Sequence, residues 1–283
     1  MCLSGHEADW GGLSMSQGPS IKVASVQVSV EDNAFDANMS NVRAMALRVA
    51  ENEKGVDLML FHEGCLEGGV PLEQVDEAMT ARALEFWKEL AAQTGINILA
   101  GRLERRPDGK LYNMATVFAP DGSILADYCK IHLYNEERDT IEAGHELGMF
   151  ELNGMKVGIM ICADFGFPEL ARGYALHGCD VLAVSSSWAY PDDDLWEICN
   201  RARSSENGVY CVSCDRTGPT ARGPVKVGRS MCCDPDGFII ANLVEKPDTY
   251  FVCTLFKDEV DKRHKSMKWL EWVRPDLYER FYV

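Results

Sequence analysis

Short apolar runs and alternating stretches follow one another along the chain, separated by segments whose apolar residues recur every three or four positions. Residues 21–28 alternate apolar with small or polar side chains, the period-two pattern of a strand. Residues 38–53 carry Met39, Val42, Ala46, Val49 and Ala50 at helical spacing, with Gly55 just beyond as a stop. Residues 56–62 predict a second strand, and Glu63 follows at its end. Leu84, Trp87, Leu90 and Ala91 predict a helix over 80–94 that stops at Gly95, and a strand follows over 96–102. Strands at 112–118 and 124–128 flank Pro120-Asp121-Gly122, a hairpin signal with Lys130 just past it. The polar stretch 135–145 precedes strands at 149–152 and 156–161.

The alternation continues beyond Cys162. Pro168 and Glu169 open a helix whose Leu170, Tyr174 and His177 share one face, which puts His177 in the core, with Gly178 at the stop. Strands at 181–185 and 210–214 enclose a helix over 196–207, capped by the acid-rich run Pro191-Asp192-Asp193-Asp194. Further strands are predicted at 228–233, 238–243 and 250–255, and from Lys257 the chain is helical and then extended. Such alternation, with hairpins interspersed, indicates α/β layers around a mixed sheet. No linker or internal repeat divides the chain. One domain is expected over 21–283, with a C-terminal tail from about 257 and a poorly ordered extension over 1–20.

Composition narrows the class. A chain of 283 residues with 46% hydrophobic content can bury a substantial core. A formal net charge of −16 argues against nucleic acid or an anionic membrane as partner. No apolar run reaches the length of a membrane span, and the first twenty residues lack the pattern of a signal peptide. Eleven cysteines, an odd number, then fit a reducing cytoplasm with most thiols free. Cys211, Cys214, Cys232 and Cys233 could bind zinc only by converging from strands whose alternate residues face opposite ways, so they are read as sheet packing and no metal is expected.

Three residues each follow a predicted strand, where catalytic groups of α/β sheets collect: Glu63, Lys130 and Cys162. A strand, Cys162, a tight turn and the Pro168 helix in succession lift a thiol toward a helix N-terminus, whose dipole favours thiolate. The ordinary alternative for Cys162 is a small buried hydrophobe, and for Glu63 and Lys130 a solvated loop position.

The flanking sequence decides between these. Leu60-Phe61-His62-Glu63-Gly64, Tyr128-Cys129-Lys130-Ile131-His132-Leu133 and Ile161-Cys162-Ala163-Asp164-Phe165-Gly166-Phe167-Pro168-Glu169 together resemble the nitrilase superfamily of carbon–nitrogen hydrolases. The resemblance extends from 21 to 282. Asn200-Arg201-Ala202-Arg203-Ser204-Ser205-Glu206-Asn207, Gly228-Arg229-Ser230 with Asp234-Pro235-Asp236-Gly237, and Arg274-Pro275-Asp276-Leu277-Tyr278 are similar to later blocks of that family. His62 departs from it where Pro is commoner, and Ala163 where an aromatic usually follows the Cys; neither removes a catalytic group.

The resemblance implies a nitrilase-like four-layer α-β-β-α sandwich. It also implies a triad, with Cys162 as the nucleophile that forms a thioester and Glu63 as general base and then general acid. Lys130 is the cation at the developing oxyanion, with the backbone N–H of Ala163 as second donor. Glu137 matches the family's second glutamate, with Glu136 as the competing assignment. Tyr134 and Trp188 are expected as pocket walls, and His132 beside Lys130 to orient it.

The function expected is cofactor-free hydrolysis of a small carboxamide to acid and ammonia. N-carbamoyl amide hydrolysis is the alternative within the fold, and a non-catalytic scaffold the alternative outside it. The three intact residues argue against the scaffold, and no His has the context a papain-like site needs. Ala163-Asp164 after the nucleophile resembles the amidase and carbamoylase branches, where nitrile-converting members carry Trp-Glu. A carbamoyl amino acid wants an Arg for its carboxylate, and Arg172, the one Arg near Cys162, lies a turn inside the helix where a surface ion pair is the commoner fate. That favours the amide. Residues 269–283 are rich in Trp, Leu, Tyr and Phe at a terminus, and burying them against a second copy makes a homodimer or larger assembly the expected state.

Overall fold

Period-two alternation sorts each strand's side chains onto two faces, and here both faces are covered. The computed structural model describes residues 18–221, 223–278 and 280–281; the expected N-terminal extension up to residue 17 lies outside the described residues. The first half of the chain forms β1 (Ser20–Gln27), α1 (Phe35–Asn52), β2 (Leu58–Phe61), α2 (Glu77–Thr94), β3 (Asn97–Arg105), β4 (Leu111–Phe118), β5 (Ile124–Cys129) and a one-turn α3 (Glu137–Thr140). Next come β6 (Met149–Leu152), β7 (Met155–Ile161), α4 (Pro168–Leu176), β8 (Val181–Ser186), α5 (Asp193–Asn207) and β9 (Tyr210–Asp215). The two-residue strands β10 (Thr217–Gly218) and β11 (Lys226–Val227) lead to β12 (Met231–Cys233), β13 (Ile239–Asn242), β14 (Thr249–Phe256), α6 (Lys257–Ser266) and α7 (Pro275–Tyr278).

Two six-stranded sheets result, ordered β14-β1-β2-β3-β4-β5 and β13-β12-β9-β8-β7-β6. Each has a parallel centre, β1-β2-β3 and β7-β8-β9, and antiparallel edges. Val23, Leu58, Leu60 and Leu99 of the first sheet meet Val157, Ile159, Val181 and Ala183 of the second in one buried cluster. Their neighbours Ala24, Met59, Phe61 and Ile98 face outward onto Val42, Val49, Phe86 and Trp87 of α1 and α2. Met160, Leu182 and Val184 face outward onto Leu170, Tyr174 and Trp196 of α4 and α5. Helix, sheet, sheet, helix: the four-layer α/β sandwich expected from the resemblance is the fold. The four cysteines weighed as zinc ligands divide the same way, Cys214 and Cys232 toward the other sheet, Cys211 and Cys233 toward α5.

Several boundaries differ from the sequence reading, each for a local reason. Helix α1 starts at Phe35, before the expected 38, because Asn38 is buried and its amide donates to the carbonyls of Glu31 at 2.9 Å and Leu66 at 3.0 Å. Helix α2 starts at Glu77, where the Asp76 carboxylate accepts the Met79 N–H at 2.7 Å as an N-cap. Asp192 makes no such side-chain bond, so the acids opening α5 act through charge on the first turn and not as the expected cap. His177 is exposed at the end of α4, its ring on the carbonyl of Gly173 at 2.8 Å, and is not a core residue. The strand expected over 228–233 shortens to β12, and the β10–β11 hairpin has no sequence signal long enough to read.

Candidate active site

Strand β7 ends at Ile161, and Cys162 follows in the left-handed region, at φ +44°. For a residue with a Cβ that conformation costs about 1–2 kcal/mol and persists only where the surroundings enforce it. The enforcing group is Asp164, whose side chain is fully buried. Its Oδ2 accepts the Ile161 N–H at 3.0 Å and the Tyr128 hydroxyl at 2.7 Å. Its Oδ1 accepts the His132 backbone N–H at 2.8 Å and lies 2.9 Å from His132 Nδ1. One carboxylate thereby closes the 3₁₀ turn Cys162–Gly166 and pins both flanks of Lys130. His132 holds Asp164 and stacks on Phe167, with centroids 3.8 Å apart; its partner is that carboxylate and not Lys130.

Lys130 leaves β5 with its side chain 1% exposed, and its ammonium lies between two carboxylates. Glu63 Oε1 accepts from Nζ at 2.8 Å, and the two oxygens of Glu137 lie at 3.1 and 2.9 Å. Glu136 is exposed, so the structure places Glu137 here and leaves its neighbour outside. Asn113, buried on β4, donates from Nδ2 to Glu63 at 2.8 Å and to Glu137 at 3.0 Å, and its backbone carbonyl accepts the Lys130 backbone N–H at 2.9 Å. Sequence reasoning missed Asn113. Its one signal was a polar residue inside the apolar run of a predicted strand.

The two sheets approach closely at this point. The Ser185 hydroxyl of β8 donates to the Phe61 carbonyl of β2 at 2.9 Å. A Cβ on Gly101 of β3 would stand 2.6 Å from Glu63 Cα and 2.8 Å from Ser185 Oγ, so only glycine lets the sheets close here. Glu63 and Lys130 from one sheet and Cys162 from the other thus share a site.

Charges reinforce the grouping. Burial pushes the Cys162 thiol up to about 12; Glu63 adds to the rise, while Lys130 and the backbone N–H of Ser187 oppose it. The thiolate expected from the helix dipole is therefore not the resting form, because α4 begins only at Pro168, beyond the 3₁₀ turn, and desolvation dominates. Burial works against ionising Glu63, but the Lys130 ammonium and Asn113 outweigh it and hold the carboxyl below its ordinary value. Burial disfavours the Lys130 cation too, and Glu63, Cys162 and Glu137 together raise it well above a normal lysine. An ionised acid, a fixed cation and a protonated thiol stand together. Asp215, at the end of β9, is buried and pushed well above the carboxylate range by that burial, its Oδ1 accepting the Trp188 N–H at 2.6 Å.

The remaining expected residues lie around this centre. Ala163 is half-buried in the 3₁₀ turn. Tyr134 donates its backbone N–H to Glu137 at 2.8 Å, and the residue is 58% exposed. Trp188 is half-buried, with its ring 5.7 Å from that of Trp196. Arg172 donates to the Glu206 carbonyl at 2.7 Å, a contact to α5, and forms no ion pair among the described residues. Among the described residues, no group of three or more His, Cys, Asp or Glu could hold a metal ion. No helix of the described residues is long and apolar enough to cross a membrane.

Comparison with known proteins gives concordant matches. The family model for carbon–nitrogen hydrolases matches residues 22–282. A nitrilase of Pyrococcus abyssi is 33% identical over 274 residues, covering 93% of this chain and 99% of that protein. A 2-oxoglutaramate amidase of Bacillus subtilis is 30% identical over 215 residues, 74% of this chain and 82% of the relative. Among solved structures, a mutant amidase from Nesterenkonia sp. AN1 superposes with a TM-score of 0.83 at 23% identity, covering 94% and 98% of the two chains. That structure shows covalent addition of the acetamide moiety of fluoroacetamide at its active-site cysteine.

Proposed function

The chain belongs to the carbon–nitrogen hydrolase family, and on that premise we propose that it hydrolyses the C–N bond of a small carboxamide through a thioester on Cys162. The observation that carries the reading is the Lys130 ammonium held by Glu63 at 2.8 Å and Glu137 at 2.9 Å beside the Cys162 turn. Amidases among the relatives, and the cysteine adduct of the Nesterenkonia amidase, support it.

Each residue has one task. The Cys162 S–H proton passes to Glu63 as sulfur attacks the amide carbon, so no free thiolate has to accumulate. The C=O bond opens to an oxyanion, met by the Lys130 ammonium and the Ala163 N–H. Glu63 returns the proton to nitrogen, the C–N bond breaks, and ammonia leaves a thioester. Water then adds to the thioester carbon with Glu63 again taking its proton. The C–S bond breaks, the acid departs and the proton returns to sulfur. Glu137 and Asn113 fix Lys130 and Glu63 throughout, and Tyr134 and Trp188 are the proposed pocket walls.

The test is direct competition between propionamide, N-carbamoyl-alanine and propionitrile, scored by ammonia and acid formed. Fastest acid formation from propionamide is expected. Equal or faster acid formation from the nitrile would overturn the reading, and a clear carbamoyl preference would replace it with N-carbamoyl amide hydrolysis. We further propose a homodimer or larger assembly. Trp269, Trp272, Tyr278 and Phe281 are 49%, 66%, 43% and 69% exposed, a costly set of surfaces for an isolated chain. Residues 279, 282 and 283 of the expected tail lie outside the described residues.

A further inference from the structure

Strand β2 pairs with β3 only as far as Leu60 opposite Leu99, and past Glu63 the chain turns away from its neighbour. Gly64, in the left-handed region at φ +58°, makes that turn. Strand β3 runs on to Arg105, so its later backbone donors on that side need partners from elsewhere. One of them is met by a side chain. Glu67, 2% exposed, brings Oε1 back to accept the Leu103 N–H at 2.9 Å. Its other oxygen, Oε2, is buried without a hydrogen-bond partner among the described residues. Burial accordingly pushes this carboxyl up to about 6. A buried acid that keeps one oxygen unpaired costs the fold stability, and the mechanism above gives it no task.

Leu103 is also the residue opposite Asn113 in the β3–β4 register. Asn113 Nδ2 donates to Glu63 Oε1 at 2.8 Å, and Glu63 opens the turn that Glu67 closes. Glu63, the turn, Glu67, Leu103 and Asn113 thus form a closed ring, each link a stretch of chain, a ladder pairing or a hydrogen bond. The far side of the turn has supports of its own. Asn38 Nδ2 donates to the Leu66 carbonyl at 3.0 Å, the Asn33 N–H to the Gly68 carbonyl at 2.9 Å, and the Gly68 N–H to the Gly64 carbonyl at 3.0 Å. Those bonds hold the turn together without Glu67. What Glu67 adds is the tie to β3, on the side that carries Glu63.

We infer that Glu67 is a positioning residue for the general base: by tying the turn after Glu63 to Leu103 of β3, it fixes the Glu63 carboxylate against Lys130 and Asn113. It acts through the backbone, by reach and not by charge. This role rests on the reading above, in which Glu63 takes the Cys162 proton, and deepens it by naming what holds the base in place.

The test sets reach against charge in the full chain. Glu67→Asp keeps the charge and falls one carbon short of Leu103, whereas Glu67→Gln keeps the reach and the acceptor without the charge. On propionamide, Glu67→Asp should lose about 10- to 100-fold in kcat with KM within about threefold, the scale of a small displacement of a catalytic group. The acid limb of kcat/KM should also move to higher pH, because a displaced Glu63 loses the ammonium and the amide that hold its carboxyl low. Glu67→Gln should recover most of the kcat and bring the limb back. An active Asp variant beside an inactive Gln variant would show that charge matters, and would overturn the inference. So would a loss of activity with the limb unmoved, or loss of the fold in Glu67→Asp by circular dichroism, each the mark of structural support alone. A second arm needs no turnover. Alkylation of Cys162 by iodoacetamide, in which sulfur displaces iodide as its proton passes to Glu63, should slow about 10-fold in Glu67→Asp while alkylation of Cys129 keeps its rate. An unchanged Cys162 rate would overturn the inference, whereas failure of the active protein to cleave any amide would overturn the amidase reading alone.

Discussion

The Tyr128 hydroxyl lies 2.7 Å from Asp164 Oδ2, and this bond ties the strand that delivers Lys130 to the turn that delivers Cys162. Tyr128 is on the first sheet and Asp164 follows β7 of the second. Burial, with the Asp164 charge beside it, raises the phenol far above an ordinary tyrosine, so it stays a donor at every working pH.

Asp164→Asn is therefore predicted to do more harm than its small change in shape suggests. The amide turns one acceptor oxygen into a donor facing N–H or O–H groups, at a cost of about 1–3 kcal/mol. Urea unfolding should show that loss, and turnover should fall more than 10-fold as Cys162 and Lys130 lose their common anchor. Wild-type turnover in Asp164→Asn would contradict the anchoring role.

For the nucleophile the prediction separates activity from stability. Cys162→Ala and Cys162→Gly should both lose at least about a thousandfold in turnover. Yet Cys162→Gly should be the more stable of the two by about 1 kcal/mol, because φ +44° suits glycine and strains alanine. Calorimetric unfolding of the pair checks this. A general thiol reagent has no acidity to exploit: Cys129, also half-buried, is pushed up only to about 11. Methyl methanethiosulfonate, which has no amide, should label both residues, and iodoacetamide, which carries a carboxamide, Cys162 first.

Lys130→Arg should fail despite keeping the charge, since a planar guanidinium cannot fill the space between Glu63 and Glu137. Lys130→Met should lose activity and also about 3–5 kcal/mol of stability, the cost of leaving buried carboxylates unpaired. Borohydride trapping of a substrate adduct on Lys130 would show a Schiff base and refute the fixed-cation role.

The pH profile of kcat/KM should be flat from about pH 5 to 10. Glu63 must be ionised, and its carboxyl lies below its ordinary value, so the acid limb falls below that of a free glutamate. No alkaline limb is expected in this range, with the thiol near 12 and Lys130 raised. A rise near neutrality tracking thiolate formation would contradict the concerted proton transfer.

Stability should follow His62. Burial lowers its imidazole to about 4, leaving it neutral when folded, while the unfolded chain binds a proton near 6.5. On this group the unfolded state thus carries more protons between pH 6.5 and 4, so its contribution to stability is lost as the pH falls through that interval, by up to about 1.4 kcal/mol per unit, while Asp215 and Glu67, both raised by burial, pull the other way. His62→Asn should flatten that slope in urea midpoints measured across the interval.

What the sequence made legible is what a few consecutive residues determine. The strand ends at Glu63, Lys130 and Cys162 read correctly, because a short apolar run followed by a polar residue is a local pattern. The thiol's protonation did not, since it depends on burial between two sheets rather than on the helix that follows. Asn113 and Asp164 escaped for a related reason. Asn113 reaches Glu63 across 50 positions, and Asp164 reaches Tyr128 across 36. His177 was misplaced by periodicity alone, which cannot tell the last turn of an amphipathic face from the end of its helix.

The edge strand β14 pairs along its whole length with β1, Ser20 opposite Phe256 and Gln27 opposite Thr249. The first strand made thus has as one neighbour nearly the last, and only β2 beside it until then. During synthesis the chain must keep that open β-edge from other chains until some 230 further residues have emerged. Loop closure over such a span is slow, so recovery of activity on refolding should lag behind formation of the helices and depend on a chaperone or on dilution.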